Sequence, residues 1–123
     1  GRYAEAEPLL KRSLAIYEKT LGIDHPNVAL SLNNIASNYS DQGRYAEAES
    51  LLKRSLAINE KALGSEHPDV ALSLNNIASN YSEQGRYAEA EPLFIRITIG
   101  APLTISPGFV GKEVLELGIL PSV

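Results

Sequence analysis

Residues 32–55, LNNIASNYSDQGRYAEAESLLKRS, decide the fold of this chain. Leu32, Ile35 and Tyr39 recur at spacings of three and four residues, which predicts one apolar stripe along an α-helix. Gly43 can end that helix in the left-handed conformation, and a second helical pattern follows it. Two helices joined by so short a turn must pack antiparallel. The stretch therefore predicts an antiparallel helix pair.

The same stretch belongs to a unit of 42 residues that is repeated along the chain. Residues 1–42 and 43–84 align without a gap and are identical at 35 of 42 positions. A third copy begins at Gly85 and departs from the pattern after Phe94. Near-identical units at this period predict a stacked array, in which each unit buries its apolar face against its neighbours.

The repeats divide the chain into an array and a tail. We expect residues 1–96 to form the array, with copies starting at 1, 43 and 85, and residues 97–123 to form a non-repeat tail that is irregular or folded back on the array. Because the chain starts at the phase of a repeat, we also expect it to be a piece of a longer array. The helices of the unit should span about 27–42 and 44–63.

The pattern resembles the tetratricopeptide repeat. The first copy of the signature consists of Leu32, Ile35, Ala36, Tyr39, Gly43, Tyr45, Ala48, Leu52 and Ser55. The second consists of Leu74, Ile77, Ala78, Tyr81, Gly85, Tyr87, Ala90 and Phe94. The longer second helix and the LG-x-x-HP turn are similar to the 42-residue variety found in kinesin light chains and in bacterial, notably cyanobacterial, repeat proteins. This resemblance implies an all-α fold, namely a short right-handed α-solenoid of antiparallel helix pairs, here with an irregular apolar C-terminal tail.

The resemblance also implies a site, because the first helices of such arrays line a concave groove that receives peptides. The candidate groove residues lie beside the apolar stripe and are Leu30, Asn33, Asn34, Ser37 and Asp41, with Leu72, Asn75, Asn76, Ser79 and Glu83 in the next copy. An Asn amide offers both a donor and an acceptor to a peptide backbone. The alternative is that one Asn of each pair bonds to the neighbouring helix and fixes the stacking. Both remain open for Asn34 and Asn76, whereas Asn33 and Asn75 favour the groove.

The groove helices carry no cation. Neither 27–42 nor 69–84 contains Lys or Arg, so these helices cannot clamp a C-terminal carboxylate. Arg44 and Arg86, directly after the glycines, lie at the edge of the groove at best.

Composition excludes several other classes of protein. The 123 residues contain no Cys, which excludes disulfides, thiolate zinc sites and a cysteine nucleophile. With 11 basic and 15 acidic residues and no basic cluster, the chain is not expected to bind nucleic acid. No apolar run is long enough to span a bilayer. We expect a soluble, cytoplasmic protein that does not bind membranes.

No pattern indicates catalysis or a cofactor. His25 and His67 are the only histidines, and they stand one repeat apart in equivalent turns, where each is expected to seat a helix start. No nucleophile and base recur at a suitable spacing, and no metal or other cofactor is expected. The sequence therefore predicts a protein-protein interaction scaffold and not an enzyme.

The ends of the array suggest an alternative function, which is structural self-assembly without a foreign peptide. The helix at 2–21 should expose Tyr3, Ala6, Leu10 and Leu14, and the helix at 86–95 should be covered only by the apolar tail. Large exposed apolar patches are uncommon on monomers. We therefore expect self-association through the array ends, with a homodimer as the favoured form.

Overall fold

The computed structural model describes residues 2–99, which form five helices and contain no strand. The helices are α1 (Tyr3–Leu21), α2 (Pro26–Asp41), α3 (Tyr45–Leu63), α4 (Pro68–Glu83) and α5 (Tyr87–Ile99). The all-α prediction is confirmed, and the observed bounds of α2 and α3 differ from the expected ones by a single residue at each displaced end.

Helix ends follow from local chemistry. Pro26 occupies the first turn of α2, where the N–H that proline lacks would have had no partner in the helix. The backbone adopts a positive φ of 75° at Gly43, and no atom lies within 4 Å of a Cβ built there. The glycine is therefore required by the backbone conformation of the turn and not by a close neighbour.

Consecutive helices pack against each other in chain order. Asn38, near the end of α2, donates to the carbonyl of Tyr3 at the start of α1, at 3.2 Å from Nδ2 to O. Asn80 repeats this bond to Tyr45 at 3.1 Å. Because each bond joins the end of one helix to the start of another, the packed helices are antiparallel.

The core runs continuously from α2 to α5. Its buried residues are Ile35, Ala36, Tyr39, Ala48, Leu52, Leu56, Val70, Leu74, Ile77, Ala78, Tyr81, Ala90 and Leu93. A second, smaller cluster joins Val28, Ala29 and Leu32 of α2 to Ile58 of α3. Each repeat thus shares its core with the next, as the periodicity predicted.

Ion pairs and hydrogen bonds connect second helices across repeats. Arg54 of α3 contacts Glu18 of α1 at 2.6 Å. Arg96 contacts Glu60 in the same relation at 3.2 Å, and its side chain is buried. Arg96 therefore continues the register of the array beyond Phe94, where most of the repeat sequence is lost.

The exposed face of α1 differs from the one predicted. Leu10 and Leu14 are half-buried and pack against the core, whereas Leu9 and Ile16 are 68% and 51% exposed. The prediction was wrong for Leu10 and Leu14 because α1 directs their stripe towards α2.

The first residues of the expected tail are helical. Ile95, Ile97 and Ile99 suit a strand or a helix by their alternation, and the structure places them in α5. Ile97 occupies the position of the small, fully buried Ser55, yet it packs half-buried against the core. The remaining tail predictions, for 100–123, lie outside the described residues.

Candidate functional site

An open groove runs between α2 and α4, with a volume of about 380 Å³. It is lined by Leu30, Asn33, Asn34, Ala36, Ser37, Ser40, Asp41, Leu52, Leu72, Asn76, Ser79, Asn80 and Glu83. The structure thus gathers nearly all the candidate residues at one surface. In the second copy the lining contains Asn76, and Asn75 is exposed on α4 outside it.

The paired asparagines lie at different depths. Asn33 is half-buried, and its Oδ1 is buried without a hydrogen-bond partner. Asn34 and Asn75 are exposed, and Asn76 is half-buried. Within residues 2–99, none of these four side chains forms a hydrogen bond to a neighbouring helix. The stacking alternative is therefore not what the structure shows for them.

Other asparagines fix the stacking, and sequence reasoning missed them. Asn38 and Asn80 make the bonds to the preceding helices, and both are buried. Asn59, also buried, donates to Ser73 Oγ at 3.0 Å. The available signal was position, because Asn38 follows Ile35 by three residues and so lies near the apolar stripe.

The groove floor is connected across the repeats by hydrogen bonds. Ser40 Oγ of α2 lies 3.2 Å from Asn80 Oδ1 of α4 and donates to it. Since Asn80 also donates to Tyr45, the same side chain ties α4 to both α2 and α3. The two groove helices are thereby held at a defined separation.

The groove rim is acidic. Asp41 and Glu83 end their helices at equivalent positions, and both are exposed. Neither carboxylate forms an ion pair with any of the described residues. No Lys or Arg is among the described residues that line the groove.

Arg44 is engaged between repeats. Its Nη1 contacts Glu7 Oε1 at 2.7 Å, its Nη2 contacts Glu47 Oε2 at 2.7 Å, and its Cζ lies 4.0 Å above the centre of the Tyr39 ring. Hydrogen bonds from Arg44 and Lys11 lower the pKa of Glu7. The guanidinium is thus committed to the stacking of α1 on α3.

Arg86 repeats this arrangement one unit further on. It contacts Glu49 at 2.9 Å, pairs with Glu89, and lies 4.5 Å above the centre of the Tyr81 ring. Burial alone would raise the pKa of Glu49, but hydrogen bonds from Lys53 and Arg86 outweigh it and lower that pKa. The two arginines that the sequence placed at the groove edge at best therefore serve the stacking.

The two histidines cap helices. His25 Nδ1 accepts the backbone N–H of Asn27 at 3.0 Å, and His67 Nδ1 accepts that of Asp69 at 3.0 Å. Each bond satisfies a donor at a helix start. The predicted role in seating the helix is confirmed.

Two features are missing from the described part of the chain. No group of three or more His, Asp or Glu side chains within it is arranged to hold a metal ion. None of its helices is both long and apolar enough to cross a membrane.

Comparison with known proteins agrees with the fold. The family model of the tetratricopeptide repeat matches residues 1–61 and 31–97. A crystal structure of nearly identical TPR-like repeats, described as a kinesin light chain of Podosopora anserina, is 28% identical to this chain, with a TM-score of 0.67. The match covers 96% of this chain, which spans 60% of the length of that one. No curated protein gives a significant match.

Both findings point to one architecture, a TPR-like α-solenoid. Repeats of this kind are generally protein-interaction modules, and the fold is typically a non-enzymatic scaffold. Since the family model matches most of the sequence, and the five helices stack in the order that the repeat requires, the chain belongs to the tetratricopeptide repeat family.

Proposed function

We propose that the chain is a protein-interaction scaffold whose groove between α2 and α4 binds an extended peptide segment of a partner protein. The observation that carries this proposal is the groove itself, an open surface of about 380 Å³ in which the candidate polar side chains of α2 and α4 come together. Among them, Asn34, Ser37 and Ser79 are exposed. A peptide that lies in the groove can therefore reach their amide and hydroxyl groups.

The repeat places similar polar groups of α2 and α4 along the groove. Asn33 and Ser37 of α2, with Asn76 and Ser79 of α4, present amides and hydroxyls along one surface. These groups donate and accept hydrogen bonds, so they can pair with a peptide backbone whatever its side chains are. Recognition of this kind favours an extended segment over a folded helix, whose backbone groups are already paired.

The site differs from one that captures a chain terminus. A C-terminal carboxylate would need a cation, and the described groove lining contains none. Arg44 and Arg86 are held by glutamates and tyrosines between the repeats. We therefore propose that the partner contributes an internal segment.

Replacement of Asn33 and Asn76 by Ala tests the groove. We expect the double variant to lose at least about tenfold in affinity for a peptide selected on the wild-type chain from a random library, which is ~1.4 kcal/mol. Helicity should stay intact, because Ala is the better helix former. Asn27→Ala is the matched control, since Asn27 is exposed in the first turn of α2, away from the groove lining. Unchanged affinity in the double variant would refute the proposal.

We propose further that the chain carries out no catalysis. Its repeated polar residues are engaged in caps, in stacking or in the groove, and the histidines accept backbone N–H groups. Stoichiometric transition metal bound to the purified chain at better than micromolar affinity, or hydrolytic turnover that survives purification, would contradict this.

A second candidate function is self-assembly, and the exposed face of α1 favours it. Ile58 of α3 is 4% exposed beneath α2, whereas its equivalent Ile16 of α1 is 51% exposed. Leu9 is exposed beside it, although its equivalent Leu51 packs half-buried against the core. We propose that two chains pair through this face as a homodimer.

Sedimentation at tens of micromolar tests the dimer. Leu9→Glu combined with Ile16→Glu should convert a dimer into a monomer, because each adds a charge to the apolar face. Leu30→Glu combined with Leu72→Glu is the matched control, since both leucines are comparably exposed on the groove side. A strictly monomeric wild-type profile would refute this candidate and leave the groove proposal standing.

A further inference from the structure

The charged groups of the groove that remain free are both acceptors. The carboxylates of Asp41 and Glu83 are exposed at its rim and have no cationic partner within residues 2–99. The rest of the lining is neutral, and its Ser37 and Ser79 are exposed. An ionised carboxylate accepts hydrogen bonds and donates none. The groove therefore favours a ligand that brings cationic donors.

We propose that the groove selects extended peptide segments that carry Lys or Arg. This inference rests on the proposed function, because it takes the groove as a peptide site and names the chemistry of the peptide. Backbone groups of the segment pair with exposed hydroxyls of the lining such as Ser37 and Ser79, and its cationic side chains pair with Asp41 and Glu83.

The repeat supports this choice of ligand. Asp41 and Glu83 occupy equivalent positions in successive copies, so an extended segment that crosses from α2 to α4 meets a carboxylate in each repeat. The exposed leucines Leu30 and Leu72 lie nearer the opposite ends of the same helices. They offer apolar surface to the aliphatic stems of Lys and Arg or to an apolar neighbour in the segment.

Acidic peptides are disfavoured for the same reasons. Like charges that face each other across an interface oppose binding, and the cations nearest the turns, Arg44 and Arg86, are occupied by glutamates. The chain also carries a net charge of −4, which attracts basic segments in general. An experiment must therefore separate the groove from this general attraction.

Three pools of labelled peptides provide the probe. Each peptide is about 12 residues long, which spans ~40 Å when extended, and is built from Leu, Ser and Thr in random order. A fixed number of positions is occupied by Lys in the first pool, by Gln in the second and by Glu in the third. Fluorescence anisotropy with the full chain should show tightest binding of the Lys pool.

A pair of isosteric variants assigns the preference to the groove. Asp41→Asn combined with Glu83→Gln should weaken binding of the Lys pool by about tenfold, which is the loss expected for two exposed ion pairs together. Glu5→Gln combined with Glu91→Gln removes the same charge from exposed positions outside the groove lining. This control should change binding of the Lys pool by less than about twofold.

Salt gives an independent readout. Raising the ionic strength from about 0.1 M to about 1 M shortens the Debye length from ~10 Å to ~3 Å. The preference for Lys over Gln should shrink accordingly in the wild-type chain, and it should already be small in the groove variant at low salt.

The outcomes separate this inference from the function on which it rests. If the Gln or Glu pool binds as tightly as the Lys pool and is lost in Asn33→Ala combined with Asn76→Ala, the groove binds peptides but the inference is wrong. An equal loss of Lys-pool binding in the groove variant and in its control would also overturn it, because the attraction would then belong to the whole surface. If no pool binds, the proposed function itself fails.

Discussion

The two faces of α2 and α4 use the same residue types for opposite purposes. One face, here called the stacking face, contains Leu32 and Asn38 in α2 and is buried against neighbouring helices. The other, called the groove face, contains Leu30 and Asn33, and its Leu30 is 59% exposed. Two leucines and two asparagines in one helix therefore meet different surroundings solely because of their angular position.

The difference shows which polar groups form a hydrogen bond to another helix on folding and which do not. On the stacking face the Asn38 amide already donates to Tyr3 and lies in a completed contact. On the groove face the Asn33 oxygen is buried and still lacks a donor. A polar group that bonds to another helix stabilises the array, whereas an amide without such a bond adds nothing to the stacking.

The largest contrast should come from truncating the two leucines. Leu32→Ala removes a side chain that is 0% exposed and should lower the free energy of unfolding by about 2–5 kcal/mol. Leu30→Ala should change it by no more than about 0.5 kcal/mol. Urea unfolding followed by circular dichroism measures both. Equal losses would remove the distinction between the faces.

Asparagine replacements should give a smaller contrast between the two faces, with a loss of stability on the stacking face and none on the groove face. Asn38→Ala and Asn80→Ala should each destabilise the chain by about 1 kcal/mol, because each removes a bond to the preceding helix. Asn33→Ala and Asn76→Ala should cost nothing and should gain at most ~0.7 kcal/mol each from helix propensity. The same unfolding measurement compares the four. A loss in the second pair equal to that in the first would show that the groove asparagines also serve the stacking.

The smallest effect should come from the ion pairs that border the stacking face. The hydrogen bonds from Arg44 and Lys11 lower the pKa of Glu7 in the folded chain. Those from Lys53 and Arg86, against the opposing effect of burial, lower the pKa of Glu49. A carboxyl whose folded pKa is lowered stabilises the fold above its unfolded pKa, about 4.3 for Glu, and this is lost as the pH falls through the folded value.

Replacing both glutamates tests that contribution. Glu7→Gln combined with Glu49→Gln should lower stability at pH 7 and flatten its decrease below about pH 4.3. Thermal unfolding as a function of pH gives the readout. Glu91→Gln, which alters the equivalent position of the third copy, serves as the control and should keep the wild-type profile. An unchanged profile in the double variant would show that these pairs do not contribute.

Most of the fold could be predicted because the signal is repeated. Spacing such as that of Leu32, Ile35 and Tyr39 occurs in two nearly identical copies, and glycines and prolines mark the ends of each helix. The groove could be predicted in outline from the resemblance to the tetratricopeptide repeat, whose first helices line a concave surface. The sequence did not predict how much of each side chain is covered, since Asn75 is exposed outside the groove lining. A difference of one residue turns a side chain by only ~100°, and neighbouring helices decide how much of it they cover.

Some contacts could be assigned only from the tertiary structure. That Leu9 and Ile16, and not Leu10 and Leu14, form the exposed face of α1 depends on which apolar stripe meets α2. The pairing of Arg44 with Glu7 joins residues 37 positions apart, and no local pattern indicates it. Both follow from the angle and register at which helices pack.

By itself, the amino-acid sequence determined the helices, their turns and their stacking into an array. Glycine and proline act through short-range backbone chemistry, and the same apolar periodicity recurs in each copy. Only the tertiary structure decided which Asn side chains bond to a neighbouring helix and which line the groove without such a bond. It also decided that Arg44 and Arg86 are committed to the repeat interfaces while Asp41 and Glu83 stay without a cation among the described residues. The reason is physical, since a side chain's partner is set by what another helix brings within hydrogen-bonding distance.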